Sequence, residues 1–111
     1  MSSEHQTSPL PPALNGKAKK QLRGIGHHLQ PVVYIGKEGI TDNVVRATHQ
    51  ALRAHELIKI KLGQNCPLDK NSAAEAIADR AGATLVQLLG KTILLYLPNP
   101  DLPDKKRIQL R

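Results

Sequence analysis

The chain has 111 residues, 40% of them hydrophobic and none Trp or Phe, with 16 Lys and Arg against nine Asp and Glu for a formal charge of +7. That length supports one small domain whose core must be built from Leu, Ile, Val and Ala, and the positive excess points first to nucleic acid and then to an acidic membrane surface. A single cysteine, Cys66, excludes an internal disulfide and fits a reducing compartment, and no apolar run approaches the ~20 residues of a membrane span.

Residues 1–13, Pro-rich and without an apolar signal core, read as a flexible arm, so a cytoplasmic location is expected. From Leu14 the register turns helical: Leu14, Ala18, Leu22, Ile25 and Leu29 form a narrow apolar stripe, with Asn15 placed to cap and Pro31 to terminate. Lys20, Arg23 and His27 lie opposite, Lys17 and Lys19 flank them, and the segment holds no acid. Gly24 and Gly26 weaken this helix by up to ~1 kcal/mol each relative to Ala, so it needs a packing partner.

"PVVYI" reads as a short buried strand. After the loop "GKEG", Thr41 and Asp42 suit a helix start, and Val44, Val45, Thr48, Ala51, Leu52 and His55 follow at helical spacing. "LIKIKL" alternates, with Ile58, Ile60 and Leu62 on one face and Lys59 and Lys61 on the other. Asp69 or Asn71 caps a third helix that buries Ala73, Ala74, Ile77, Ala78 and Ala81 and stops at Gly82. "TLVQLL" and "TILLYL" flank Gly90-Lys91 as a hairpin. The order α-β-α-β-α-β-β predicts an α/β chain of the α+β two-layer sandwich type: three helices on a small four-stranded mixed sheet. The domain spans residues 14–98, and the Pro-rich, basic stretch 99–111 reads as a loose tail.

The loop Gly36-Lys37-Glu38-Gly39 is the most informative feature. Strand, Gly-rich turn and helix N-terminus together aim backbone N–H groups outward at the positive end of a helix dipole, where a phosphate binds. Glycine lets a sugar-phosphate backbone approach closely, and a GXXG loop clamping nucleic-acid backbone is the device of KH modules. The plainer alternative is a tight turn. A Walker A loop is excluded by spacing. The one-signed face of the first helix adds weight, since no neighbouring acid offsets its potential; Lys59 and Lys61 either extend that patch or protect a sheet edge. With only Tyr34 and Tyr96, neither in an RNP-type pattern, aromatic stacking is nearly unavailable and an RRM-like platform is not expected, so backbone and shape contacts must dominate.

Little favours catalysis, a metal or a cofactor. His27 and His28 point apart on a helix, His49 and His55 are six residues apart, and no base or carboxylate is marked for Cys66.

Taken together, "LRGIGHHLQPVVYIGKEGITDNVV", "ALRAHELIKIKL", "QNC" and "LVQLLGKTILLYLP" resemble the CRM domain family, named for chloroplast RNA splicing and ribosome maturation. The chain is similar to the free-standing bacterial, YhbY-type form, from about Leu14 to Pro98. The resemblance implies a module like the C-terminal domain of bacterial translation initiation factor three. It implies RNA binding through the GXXG loop and adjacent basic surface, with rRNA of the precursor large ribosomal subunit as partner. By position the loop is Gly36, Lys37, Glu38 and Gly39, and the basic helix contributes Lys17, Lys20 and Arg23. Two residues depart from the family pattern: Glu38 stands where relatives often carry Asn, and Leu97 where they often carry Arg. The expected protein is a non-enzymatic, monomeric RNA binder in ribosome assembly. Its rivals are a protein-interaction module whose basic face meets an acidic partner, and an RNA-processing enzyme.

Overall fold

A computed structural model describes residues 14–110, so the arm expected over residues 1–13 lies outside the described residues. The elements are α1 (Gly16–Gly26), β1 (Pro31–Ile35), α2 (Asp42–His55), β2 (Leu57–Leu62), α3 (Lys70–Ala81), β3 (Thr84–Leu89) and β4 (Thr92–Tyr96), followed by a short 3-10 turn at Asp104–Lys106. They form the expected α+β fold of three helices and a four-stranded mixed sheet, in the strand order β1-β2-β4-β3.

β1 and β2 pair in parallel across the α2 crossover, as a strand-helix-strand unit requires. The α3 crossover skips one position, and β4 folds back into the gap, antiparallel to both β2 and β3. Gly90, at φ +59°, supplies the positive angle of that tight hairpin. The three parallel strands therefore end on one edge of the sheet, where the Gly36–Gly39 loop and the segment after Leu62 meet.

The helices do not share one face, as a two-layer sandwich would have them. α2 and α3 cover one side, closing a core of Ile35, Leu52, Ile58, Ile60, Ile77, Ile93 and Leu95. α1 lies on the other side over Leu57, Val86, Leu94 and Tyr96, with Leu22 at its centre. The reason is in β4: Ile93 and Leu95 point to one face, Leu94 and Tyr96 to the other, and all four are buried. A strand apolar at both parities has to be covered on both sides. A bulge at Val86 in β3 serves the same end, directing Val86 to the α1 side while Leu85 and Leu88 reach the α2/α3 core.

α1 stops at Gly26 rather than running to Pro31, with His27 as its C-cap. Its buried stripe is Ala18, Leu22 and Gly26, so Ile25, expected inward, sits at the rim. Gly26 is where the helix touches the sheet: a Cβ there would lie 2.7 Å from Leu94 Cδ2. The glycine that weakens the helix by propensity is the one that lets it dock.

The segment after Pro98, expected to be loose, is packed down. Ile108 and Leu110 lie against the α1-side core, and Gln21 Nε2 donates to the Gln109 carbonyl at 2.6 Å. Its anchor is Glu56, which composition alone does not single out. Glu56 closes α2 at φ +65° and is fully buried. Its Oε2 accepts from the Asn99 amide at 2.5 Å and Arg107 Nε at 3.1 Å, and its Oε1 accepts from the Ile108 amide at 2.7 Å.

Candidate nucleic-acid interface

The Gly36–Gly39 loop is a tight turn closed by the Gly39 amide donating to the Gly36 carbonyl at 3.0 Å. Lys37 and Glu38 occupy its exposed tip, while Gly39 is buried at φ +72° beside Pro67. Gly39 is thus required by backbone conformation, whereas Gly36 is half-buried and free of that constraint. Thr41 caps α2 by accepting from the Val44 amide at 3.1 Å. Arg80 of α3 fixes the loop's exit, donating to the Ile40 carbonyl at 3.2 Å and to Asp42 Oδ1 at 3.0 Å. The helix mouth is therefore less open to an anion than the bare pattern suggests. Two of its amides already have partners, and Asp42 places a carboxylate in the first turn. Lys37 supplies the loop's positive charge, and Glu38 opposes it.

On α1, Lys17, Lys20, Arg23 and His27 are exposed and Lys19 is half-buried. Steps of three, three and four residues from Lys17 to His27 put the exposed four along one side of the helix. No carboxylate interrupts them, because none exists between Asn15 and Gln30. Asn15 caps this helix, its Oδ1 accepting from the Ala18 amide at 2.7 Å.

The two features are not separate. Arg23 and His27 line a cleft with Lys59 of β2, floored by Leu94. Lys59 and Lys61 share a face of β2, two residues apart, and Lys61 is the register partner of Tyr34 on β1. Tyr34 in turn lies against Gly36. A strip therefore runs from α1 over Lys59 and Lys61 to Tyr34, which borders the Gly36–Gly39 loop. Because β2 is an interior strand, edge protection is not the role of its lysines. Of the two sequence readings of Lys59 and Lys61, extension of the patch is the one that fits; Tyr34 is the residue on this strip that sequence alone did not join to the site.

The comparisons with known proteins decide the family. The model of the CRS1 / YhbY (CRM) domain matches residues 14–96. The chain belongs to the CRM domain family. It is 43% identical over 97 residues to the Bacillus subtilis "Probable RNA-binding protein YqeI", covering 87% of this chain and 98% of that one. It is 37% identical over 97 residues to a Haemophilus influenzae protein named "RNA-binding protein", covering 87% and 94% of the two chains. The solution structure of the Staphylococcus aureus protein SAV1595 superposes with a TM-score of 0.73 at 33% identity, covering 89% of this chain and all of that one.

Within this CRM domain, Leu97 is packed against the α2/α3-side core, and its amide donates to the Glu56 carbonyl at 2.8 Å. The Leu97 side chain is thus turned to packing, where the resemblance leads one to expect a basic contact in the family pattern. Among the described residues no group of three or more His, Cys, Asp or Glu could hold a metal ion. Nor is any helix among them long and apolar enough to cross a membrane.

Proposed function

We propose that this protein binds RNA without acting on it chemically, and that it does so in the cytoplasm as part of large-subunit ribosome assembly. The observation that carries this reading is the basic strip that runs from α1 over Lys59 and Lys61 to Tyr34 beside the Gly36–Gly39 loop. Its charge suits a phosphate backbone. Binding through Lys17, Lys19, Lys20, Arg23 and Lys37 neutralises phosphates and releases their counterions. His27 adds a polar contact beside them. The Gly36–Gly39 turn presents its charged tip where a backbone bending past β1 would meet it. The relatives named as RNA-binding proteins support the same reading.

The testing experiment is crosslinking in cells followed by sequencing of the attached RNA, paired with sedimentation of ribosomal particles. Enrichment of large-subunit precursor rRNA, with the protein in immature large-subunit fractions, is the expected result. Companions that survive nuclease treatment would instead point to an acidic protein partner, and turnover of rRNA fragments by the purified chain would point to an enzyme.

A further inference from the structure

Tyr34 is 61% exposed, while the other tyrosine, Tyr96, is buried. Its position is unusual for more than exposure. Val33 and Ile35 point into the α2/α3 core, so Tyr34 stands on the opposite face, which α1 leaves uncovered at β1. The ring does not project into solvent. It lies down across the ends of β1 and β2, over two glycines. A Cβ on Gly36 would fall 3.1 Å from Tyr34 Cε2, and one on Gly63 would overlap the phenol oxygen and come within 2.6 Å of Cζ. Gly63 is itself buried, and its amide donates to the Ile35 carbonyl at 2.8 Å, holding the two strand ends together beneath the ring. One face of the phenol is thus seated on bare backbone and the other is open.

We infer that the open face of Tyr34 is a stacking seat for one unpaired RNA base. This rests on the proposed RNA-binding function and deepens it by naming the class of RNA. The charges around the ring fit that occupant. Lys61 is its neighbour across the β1–β2 pairing, at about 5 Å in strand spacing, and Lys59 follows one pleat repeat further. Lys37 follows in the adjoining loop, exposed. A base on the ring would carry its own phosphate beside Lys61. Base–aromatic stacking is sequence-tolerant, since every base offers a π-face, but it requires a base that is out of the helix. The site therefore selects single-stranded or bulged RNA over a perfect duplex. Gly36 gains a second role: it keeps the ring low enough for a base to lie on it.

The experiment compares binding of a short single-stranded oligoribonucleotide, its perfect duplex, and the same strand with abasic sugars. The parent, Tyr34→Ala, Tyr34→Phe and Gly63→Ala are each titrated. Tyr34→Ala should weaken single-strand binding roughly tenfold to a hundredfold and leave duplex and abasic binding near the parent's. Tyr34→Phe should bind as the parent does. Gly63→Ala, which displaces the ring while changing no charge, should reproduce the single-strand loss and add little to Tyr34→Ala in the double variant. In a Tyr96→Phe background, single-stranded RNA should quench the remaining tyrosine emission. Unchanged single-strand affinity in Tyr34→Ala, equal losses on single strand and duplex, or unquenched emission would each overturn the stacking seat. If those occurred while Lys20→Gln and Arg23→Gln still weakened binding, RNA binding itself would stand. A parent that bound none of the three RNAs would remove both.

Discussion

Arg107 Nε donates to Glu56 Oε2 at 3.1 Å, joining the end of α2 to a segment 51 residues later and making the C-terminal stretch part of the domain. Glu56 is fully buried, whereas the Arg107 side chain keeps 30% of its exposure, so the pair is asymmetric. Removing the carboxylate leaves the Asn99 and Ile108 amides without an acceptor and releases the tail. Glu56→Ala should lower unfolding free energy by about 3–5 kcal/mol. Arg107→Ala should cost less, about 1–3 kcal/mol, because Glu56 keeps its two amide donors and the lost partner was partly solvated. A chain ended at Pro98 should behave like Glu56→Ala in urea denaturation. If it unfolded with the parent's midpoint and slope, the tail would not belong to the core.

What the sequence disclosed and what it hid follow from the same physics. α2 and α3 were legible because cap, period and stop agree: Thr41 and Asp69 each accept from the amide three residues on, and Gly82 ends α3 at φ +67°. β2 was legible through its alternation. The side taken by α1 was not, because Leu94 and Tyr96 look like ordinary residues of an apolar run until β4 is known to be central. Glu56 was missed for a different reason. A glutamate after a helix reads as solvated, and only its long-range partners, Asn99, Arg107 and Ile108, reveal it as an anchor. The loop and the α1 basic side were visible as local patterns, with Lys59 and Lys61 offered as one extension of the patch; that Tyr34 joins them depends on its pairing with Lys61, a tertiary fact.

The two loop glycines should separate by assay. Gly39→Ala forces a side chain onto φ +72° and should cost about 1–2 kcal/mol of stability. Gly36→Ala meets only the movable Tyr34 ring and should keep a near-normal Tm while losing RNA affinity, as should Lys37→Ala. Thermal melts beside RNA titrations check both. RNA binding at the parent's level in Gly36→Ala and Lys37→Ala would reduce the loop to a turn.

Salt dependence tests the charged strip. If α1 and the loop together neutralise about four phosphates, log K should fall against log salt with a slope of roughly −3 to −4. Lys20→Gln with Arg23→Gln should flatten that slope by up to ~2, and should shift stability by less than about 0.5 kcal/mol because both side chains are exposed. A slope near zero for the parent would rule out backbone contacts as the basis of affinity.

Tyr96 gives a pH prediction. Burial first, and then the nearby Glu56 carboxylate, push its phenol above the usual value of 10.0, with Arg107 pulling the other way. A group raised on folding favours its protonated form in the native state. Its contribution is therefore complete below pH 10 and is lost as pH rises through the higher native value. In Tyr34→Phe, where Tyr96 is the remaining phenol, the phenolate absorbance should rise with a midpoint above 10, and unfolding free energy should decline over the same range. A midpoint below 10 would contradict the burial of this ring.

Glu38 is the residue at the loop tip that fits RNA least. It is exposed beside Lys37, so its carboxylate adds negative charge at the tip a phosphate would approach. Replacing it with Asn removes the repulsion and keeps a polar side chain at the turn. Glu38→Asn should tighten RNA binding by a few tenths to ~1 kcal/mol, the scale of a partly screened surface charge. The gain should shrink as salt is raised, since it is Coulombic, and the Tm should hold because Gly39 rather than Glu38 carries the strained angle. Weaker binding in Glu38→Asn would reverse the assignment. It would make Glu38 a hydrogen-bond acceptor for a base or a 2′-OH, and the loop tip would then contribute recognition of RNA as well as charge.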